Sequence, residues 1–255
     1  MSEVLFMRHP ETLGNTAHLF SGRRNVELSD RGALQCARAV RALVDWRPDR
    51  ILTSPLVRCR SIAFGAALCL GIEPEVEGRL VEIDFGALEG LTAAEGRERG
   101  LAFPWPVGPD GRSRPAPGAE SFEHLMGRAA DFLEDARGFG GRVACVTHGG
   151  MTRALLGAAY GMEVDRFWDM AIGNVSSQIF VGDGSSRLMV SAMGLTPEEV
   201  AARGRARTAL EKEETALRER LSHTRGRLQA LGQVLEKEEA QEREQKEKLR
   251  QAMLE

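Results

Sequence analysis

Val4-Leu5-Phe6-Met7-Arg8-His9 and Val143-Ala144-Cys145-Val146-Thr147-His148 decide how this chain reads. Each is a short, unbroken apolar run that stops on a histidine. A run of about four apolar residues, followed by a turn and then a helical pattern, reads as a parallel strand of an α/β sheet, buried on both faces. A third run, Ile51-Leu52-Thr53, stops on Ser54-Pro55-Leu56-Val57-Arg58 and puts Arg58 in the first turn of the next helix. Ligands of open α/β sheets bind outside the carboxyl ends of the strands. The three run ends therefore predict one crevice holding Arg8, His9, Arg58 and His148.

Outward from these runs, Ser29 is a candidate N-cap for a helix to Val44, with Ala33, Leu34, Ala37, Val40 and Val44 at helical spacing. Phe122, Leu125, Met126, Ala129, Phe132, Leu133 and Ala136 repeat the pattern. Gln178–Val181 and Arg187–Val190, joined through Gly182-Asp183-Gly184, read as a closing hairpin. The expected fold is α/β, a mostly parallel sheet with helices on both faces, over residues 1–195. Proline and glycine break up residues 101–118, which read either as a loop overhanging the crevice, with Trp105 and Arg112 or Arg114 touching substrate, or as a mobile surface loop.

Two imidazoles and two guanidiniums in one crevice suit a phosphate monoester. Its hydrolysis needs a nucleophile in line with the leaving oxygen and positive charge around the equatorial oxygens. A neutral His9 supplies the first. Arg8, Arg58 and a protonated or donating His148 supply the second, the arginines through a planar fork that matches phosphoryl oxygens. The same cations disfavour the imidazolium form of His9. Attack by His9 on phosphorus would give a phosphohistidine, which water then discharges.

The motifs around these residues resemble the histidine phosphatase superfamily, the phosphoglycerate-mutase-like enzymes. Arg8-His9-Pro10-Glu11-Thr12 with Asn15 is similar to its Arg-His-Gly signature, and Phe20-Ser21-Gly22, Leu28-Ser29 and Gly32 to the segment after it. Ser54-Pro55-Leu56 with Arg58 resembles the second arginine motif, and Leu80-Val81-Glu82-Ile83-Asp84-Phe85-Gly86 with Glu89-Gly90 the acid motif. Pro117-Gly118-Ala119-Glu120-Ser121 and Thr147-His148-Gly149-Gly150 complete the series, which is closest in kind to the alpha-ribazole-phosphatase-like branch. The resemblance implies His9 as nucleophile, Glu82 as proton donor to the leaving group, and His148 in the catalytic set. It adds Asn15 and the backbone at Gly22 to Arg8, Arg58 and His148 as phosphate-binding groups. Asp84, two residues on, is the alternative acid; the resemblance selects Glu82, and the spacing does not. Arginines around Glu82 favour its ionised form, a tension with donating a proton that a bound phosphate dianion would relieve.

Departures matter too. Pro10 stands where the family has glycine, which removes a backbone N–H and fixes φ near about −65° beside the expected phosphate, so slower catalysis is expected. Cys59 and Ile62 replace the family's alanine and threonine, with an effect expected on packing only. His18, His124 and His223 lack motif context and read as structural or exposed.

The 255 residues suffice for one α/β domain plus an extra element, and the net charge of −3 gives no field for nucleic acid or an anionic membrane. Cys36, Cys59, Cys69 and Cys145 are dispersed and read as reduced thiols. With no long apolar stretch and a first strand too early for a cleaved signal, a cytoplasmic location is expected. No metal-ligand spacing or nucleotide loop occurs, so no metal and no cofactor are expected.

After Leu195 the composition turns to Glu, Lys, Arg, Gln, Ala and Leu, with Thr196 as cap and Pro197 at the first helical position. Leu210, Leu217, Leu221, Leu228, Leu231 and Leu235 keep the spacing of a coiled-coil seam, interrupted by Gly226 and Gly232. Residues 196–255 are therefore expected to be a helical extension, broken near Ser222–Gly226 into a hairpin or serving as a contact to a homo-oligomer or protein partner; a solvated tail is the other reading. For the whole chain the leading expectation is a phosphatase of a small phosphorylated substrate. A phosphoglycerate-type mutase and a phosphate-binding interaction protein with a recruiting tail remain the alternatives.

Overall fold

The computed structural model describes residues 2–182 and 188–253. Its elements in chain order are β1 (Ser2–Arg8), α1 (Leu13–Thr16), α2 (Asp30–Trp46), β2 (Arg50–Thr53), α3 (Val57–Leu70), β3 (Glu75–Val76), α4 (Ala93–Glu98), α5 (Phe122–Arg137), β4 (Gly141–Thr147), α6 (Gly149–Tyr160), β5 (Ser177–Gly182), β6 (Met189–Leu195) and α7 (Pro197–Ala252). The six strands form one mixed sheet in the order β3-β2-β4-β1-β5-β6. The first four are parallel, and β5 and β6 join antiparallel. The hairpin strands β5 and β6 pair as the sequence predicts, while the Asp183-Gly184 turn and Arg187 lie outside the described residues.

The central strands are buried on both sides because every residue from Val4 to Met7 is apolar. Val4, Phe6, Val143 and Cys145 face one core with Leu125, Phe132 and Leu155 of α5 and α6. Leu5, Met7, Ala144 and Val146 face the other, with Leu43 of α2 and Ile62 of α3. Register then sets the site. Arg8 pairs with Thr147 and Thr53 with Val146, so His9, Ser54 and His148 leave the sheet at one edge.

The helix expected from Ser29 forms, with the Ser29 hydroxyl accepting from Gly32 N at 3.0 Å, but its buried face is rotated from the expected one. Leu34 is 67% exposed, whereas Ala39, Ala42, Leu43 and Trp46 are buried. Small alanines on several sides left the stripe ambiguous, and the large Leu43 and Trp46 decide it.

The chain divides into two compact units, Met1–Arg205 and Ala206–Glu255. Within the first, the opening turns of α7 belong to the core: Val200 and Ala201 are buried, and Arg205 pairs with Asp45 at 2.6 Å. A side chain at Gly204 would meet the Asp45 carbonyl oxygen at 2.1 Å, so the close approach here needs glycine. In the second unit, helix runs through Ser222–Gly226 without the expected break. Two interior glycines cost about 1 kcal/mol each. Pairs one turn apart, Arg207–Glu211, Arg218–Glu214, Arg243–Glu239, Lys246–Glu242 and Lys248–Glu244, offset part of this. No helix among the described residues is long and apolar enough to cross a membrane.

Candidate active site

A cleft of about 180 Å³ opens at the strand-end edge. Arg8, His9, Asn15, Gly22, Arg58 and Glu82 all line it, and the wholly buried His148 ring lies behind, 5.1 Å from the His9 ring. The sequence-predicted residues thus converge from the end of β1, α1 and the loop after it, the first turn of α3, the loop after β3 and the end of β4.

His9 is fixed by its neighbours. Its backbone N–H donates to the Thr147 carbonyl at 2.9 Å, and the His9 carbonyl accepts from Asn174 Nδ2 at 3.1 Å. In the ring, Nδ1 donates to the Pro10 carbonyl at 2.6 Å, since a carbonyl can only accept. The lone pair is therefore on Nε2. Burial, then the positive charge of Arg58 and Arg8, hold His9 well below the ordinary imidazole value and keep it neutral. Pro10 does not line the cleft; its part here is to present that carbonyl.

Arg58 donates through Nη2 to the Gly22 carbonyl and through Nη1 to the Arg24 carbonyl, both at 2.7 Å. Arg8 Nη1 donates to the Ile172 carbonyl. Each arginine keeps a buried Nε–H with no acceptor among the described residues, and the Ser21 hydroxyl and the Trp168 indole N–H are likewise without a partner there. All four residues line the cleft. Buried donors without partners are costly, so this concentration marks a place prepared for an acceptor-rich ligand. Gly22 adopts φ of +47°, and a Cβ there would fall 1.8 Å from Glu89 Oε1, the oxygen that receives Arg23 N. A side chain here would strain the turn and displace the Glu89 carboxylate from Arg23 N.

Glu82 sits outside any strand, in the loop after the Gly78–Leu80 turn. Its carboxylate reaches the start of α6 and accepts from Met151 N at 3.2 Å and Gly150 N at 3.3 Å, a favourable place for negative charge. Asp84, the alternative acid, accepts from Gly86 N and pairs with Arg23, and it does not line the cleft. The loop is held by a buried clamp. Glu120, 7% exposed, takes two bonds from Arg128 at 3.1 and 2.9 Å and one each from Arg23 Nη2 and Asp84 N at 3.4 Å. Arg128 Nη1 in turn donates to the Arg79 and Val81 carbonyls at 2.7 Å.

His148 is also held well below the ordinary imidazole value, by burial first and then by Arg58, His9 and Arg8, so the protonated form considered from the sequence is disfavoured here. Its Nε2 lies 2.7 Å from Ser54 Oγ and 3.3 Å from Cys59 Sγ. Cys59 therefore does more than pack, although burial pushes its thiol up and keeps it protonated.

Several lining residues escaped the sequence reading. Arg153 lies one turn beyond Gly149 on α6, a spacing that would have found it; its Nε donates to the Met170 carbonyl at 2.7 Å. Phe103 and Trp168 line the cleft, while Trp105, expected there, is buried in the core with its Nε1 donating to the Glu120 carbonyl at 2.9 Å. Arg114 pairs with Asp110, and neither it nor Arg112 reaches the cleft.

Comparison with known proteins adds to this geometry. The family model described as histidine phosphatase superfamily (branch 1) matches residues 4–194. Phosphoserine phosphatase 1 of Hydrogenobacter thermophilus is 28% identical over 186 residues, 70% of this chain and 86% of that protein. The metal-independent phosphoserine phosphatase of Arabidopsis thaliana is 32% identical over 160 residues, 61% of this chain and 67% of that one. The solved structure of Bacillus stearothermophilus YhfR superposes with a TM-score of 0.67 at 24% identity, covering 77% of this chain and 99% of that chain, a likeness of fold.

Proposed function

Because this chain belongs to the histidine phosphatase superfamily, branch 1, we propose that it hydrolyses a small phosphate monoester through a phosphohistidine on His9. The observation that carries the reading is the neutral His9 ring, with Nδ1 committed to the Pro10 carbonyl and Nε2 free to attack among Arg8 and Arg58.

In the first step the Nε2 lone pair forms a bond to phosphorus while the P–O ester bond breaks, its electron pair leaving with the alkoxide oxygen. Arg8 and Arg58 meet the equatorial oxygens, with Asn15 and the backbone at Gly22 beside them. Glu82, protonated, gives its proton to the leaving oxygen. In the second step Glu82 takes a proton from water, whose oxygen displaces Nε2 from phosphorus and releases inorganic phosphate. His148 acts as a neutral donor, its orientation set by Ser54. The two relatives named as phosphoserine phosphatases support a small phosphorylated substrate.

Brief mixing with a phosphorus-labelled ester should leave an acid-labile, base-stable label on the parent chain. His9→Ala should lose both the label and on the order of 10³-fold or more of turnover; equal labelling of the variant would remove His9 from the nucleophile's role.

Two further readings complete the proposal. The exposed leucines of Ala206–Glu255, including Leu217 at 53% and Leu228 at 72%, support association of the extension with a second copy of this chain. Four free cysteines support a reducing, cytoplasmic setting.

A further inference from the structure

The cleft has a second set of lining groups, four aromatic rings whose faces the phosphate chemistry leaves unused: Phe20, Phe85, Phe103 and, apart from its indole N–H, Trp168. They come from four separate segments, the stretch after α1, the loop beyond Glu82, the proline-rich residues 101–118, and the Val164–Asp169 turn. Phe103 is their centre, with ring centroids 4.5 Å from Phe20, 4.9 Å from Trp168 and 5.9 Å from Phe85. Buried Trp105 and Phe167 back the wall, 5.8 and 5.0 Å from Trp168. The four wall rings, by contrast, are only half-buried. Aromatic surface left wet at the edge of a reaction site is unfavourable and is relieved when an apolar group covers it.

The charges in the same cleft narrow what that group can be. Its charged lining residues are Arg8, Arg58, Arg153 and Glu82. Arg153 is anchored to the Met170 carbonyl and lies over the Trp168 ring, 5.0 Å from its centroid. Among the described lining residues the single carboxylate, Glu82, is the proton donor of the proposed reaction, so none of them is left to face an ammonium group. A zwitterionic leaving alcohol would put its positive charge among guanidiniums.

We propose that this aromatic wall is the leaving-group subsite and that it selects phosphate monoesters of flat aromatic alcohols, aryl or arylmethyl phosphates, over esters of small zwitterionic alcohols such as serine. The inference rests on the phosphatase reading above. Rings stack offset or edge-on at the spacings the wall already uses. A cleft of about 180 Å³ is well below the roughly 300–1,000 Å³ of sites for drug-sized ligands, so a single ring beyond the phosphate is its measure.

The test compares kcat/KM of the full chain on benzyl phosphate, ethyl phosphate and O-phosphoserine. Benzyl phosphate should exceed each of the others by about tenfold or more, since a buried ring contributes that much or more. Phe103→Leu should lower the benzyl-to-ethyl ratio severalfold, and Trp168→Leu should do the same; because a ratio is read, partial unfolding of either variant does not imitate the effect. Phosphoserine turned over as well as benzyl phosphate by the parent would overturn the subsite while leaving the phosphatase reading in place. Binding of benzylphosphonate and ethylphosphonate, measured by calorimetry, separates the two ideas from the other side. Tighter binding of the benzyl compound without turnover of any ester would keep the subsite and sink the phosphatase reading, and equal binding would overturn the subsite.

Discussion

The cleft and the C-terminal extension are unfinished in opposite senses. In the cleft, buried donors on Arg8, Ser21, Arg58 and Trp168 have no acceptor among the described residues. Along Ala206–Glu255 the apolar side chains are what lies open, with Leu210 at 65% and Leu235 at 58% exposure. A buried polar group without a partner costs about 1–3 kcal/mol, and an apolar side chain left in water forgoes about 1.5–3 kcal/mol of burial. The comparison teaches that the kind of group left unmet names the kind of partner: an oxyanion for the first region, another apolar surface for the second.

The largest effect that bears on this contrast comes from removing one proton site in the cleft. Glu82→Gln keeps one of the two oxygens that now receive the Gly150 and Met151 N–H groups and cannot give a carboxyl proton. Turnover of an alkyl phosphate should fall about 10²-fold or more, and that of nitrophenyl phosphate, whose leaving group needs little protonation, much less. Equal losses on both esters would make Glu82 a structural cap of α6.

Acidification should separate the regions next. His9 and His148 are both held below the ordinary value of 6.5, so between that value and their folded ones the unfolded chain binds protons that the folded chain does not. Stability is therefore full above pH about 6.5 and falls as pH drops, by up to about 1.4 kcal/mol per pH unit for each histidine. Urea midpoints at pH 7 and 5.5 measure this. A midpoint that rises on acidification would contradict the burial of two neutral imidazoles.

The smallest effect on catalysis should come from the largest deletion. Ending the chain at Arg205 removes every exposed leucine of the seam and no cleft residue. Light scattering should report a lower assembly mass, while kcat on a small ester stays within about twofold. Unchanged mass would leave the seam without the partner proposed for it, and collapsed turnover would tie the extension to the cleft.

What could be read from sequence follows the same physics. Val4–Met7 and Val143–Val146 announce themselves because strands buried on both faces have to be apolar throughout, and their ends deliver His9 and His148 to one edge. Arg58 follows because a helix starts where a strand run ends. Phe103 and Trp168 were illegible because they arrive on irregular segments, where no periodicity fixes direction. Trp105, two residues from Phe103, goes the other way because its indole N–H finds the Glu120 carbonyl in the core. Glu82 was reached by motif alone, since a loop pinned by side chains carries no repeat. Whether α7 runs unbroken stayed open in the sequence, because the penalty of Gly226 and Gly232 argues for a break while the charge pairs spread along the same helix argue against one.

The Glu120 clamp has a further consequence, for motion. One carboxylate receives Arg128 from α5, Arg23 from the Gly22 turn and the Asp84 amide from the loop of Glu82. Three segments far apart in the chain thus share one anchor, and none can open far without unseating the others. Their fluctuations are then those of a single cooperative unit rather than of three independent loops, so the proton donor and the phosphate cradle rise and settle together.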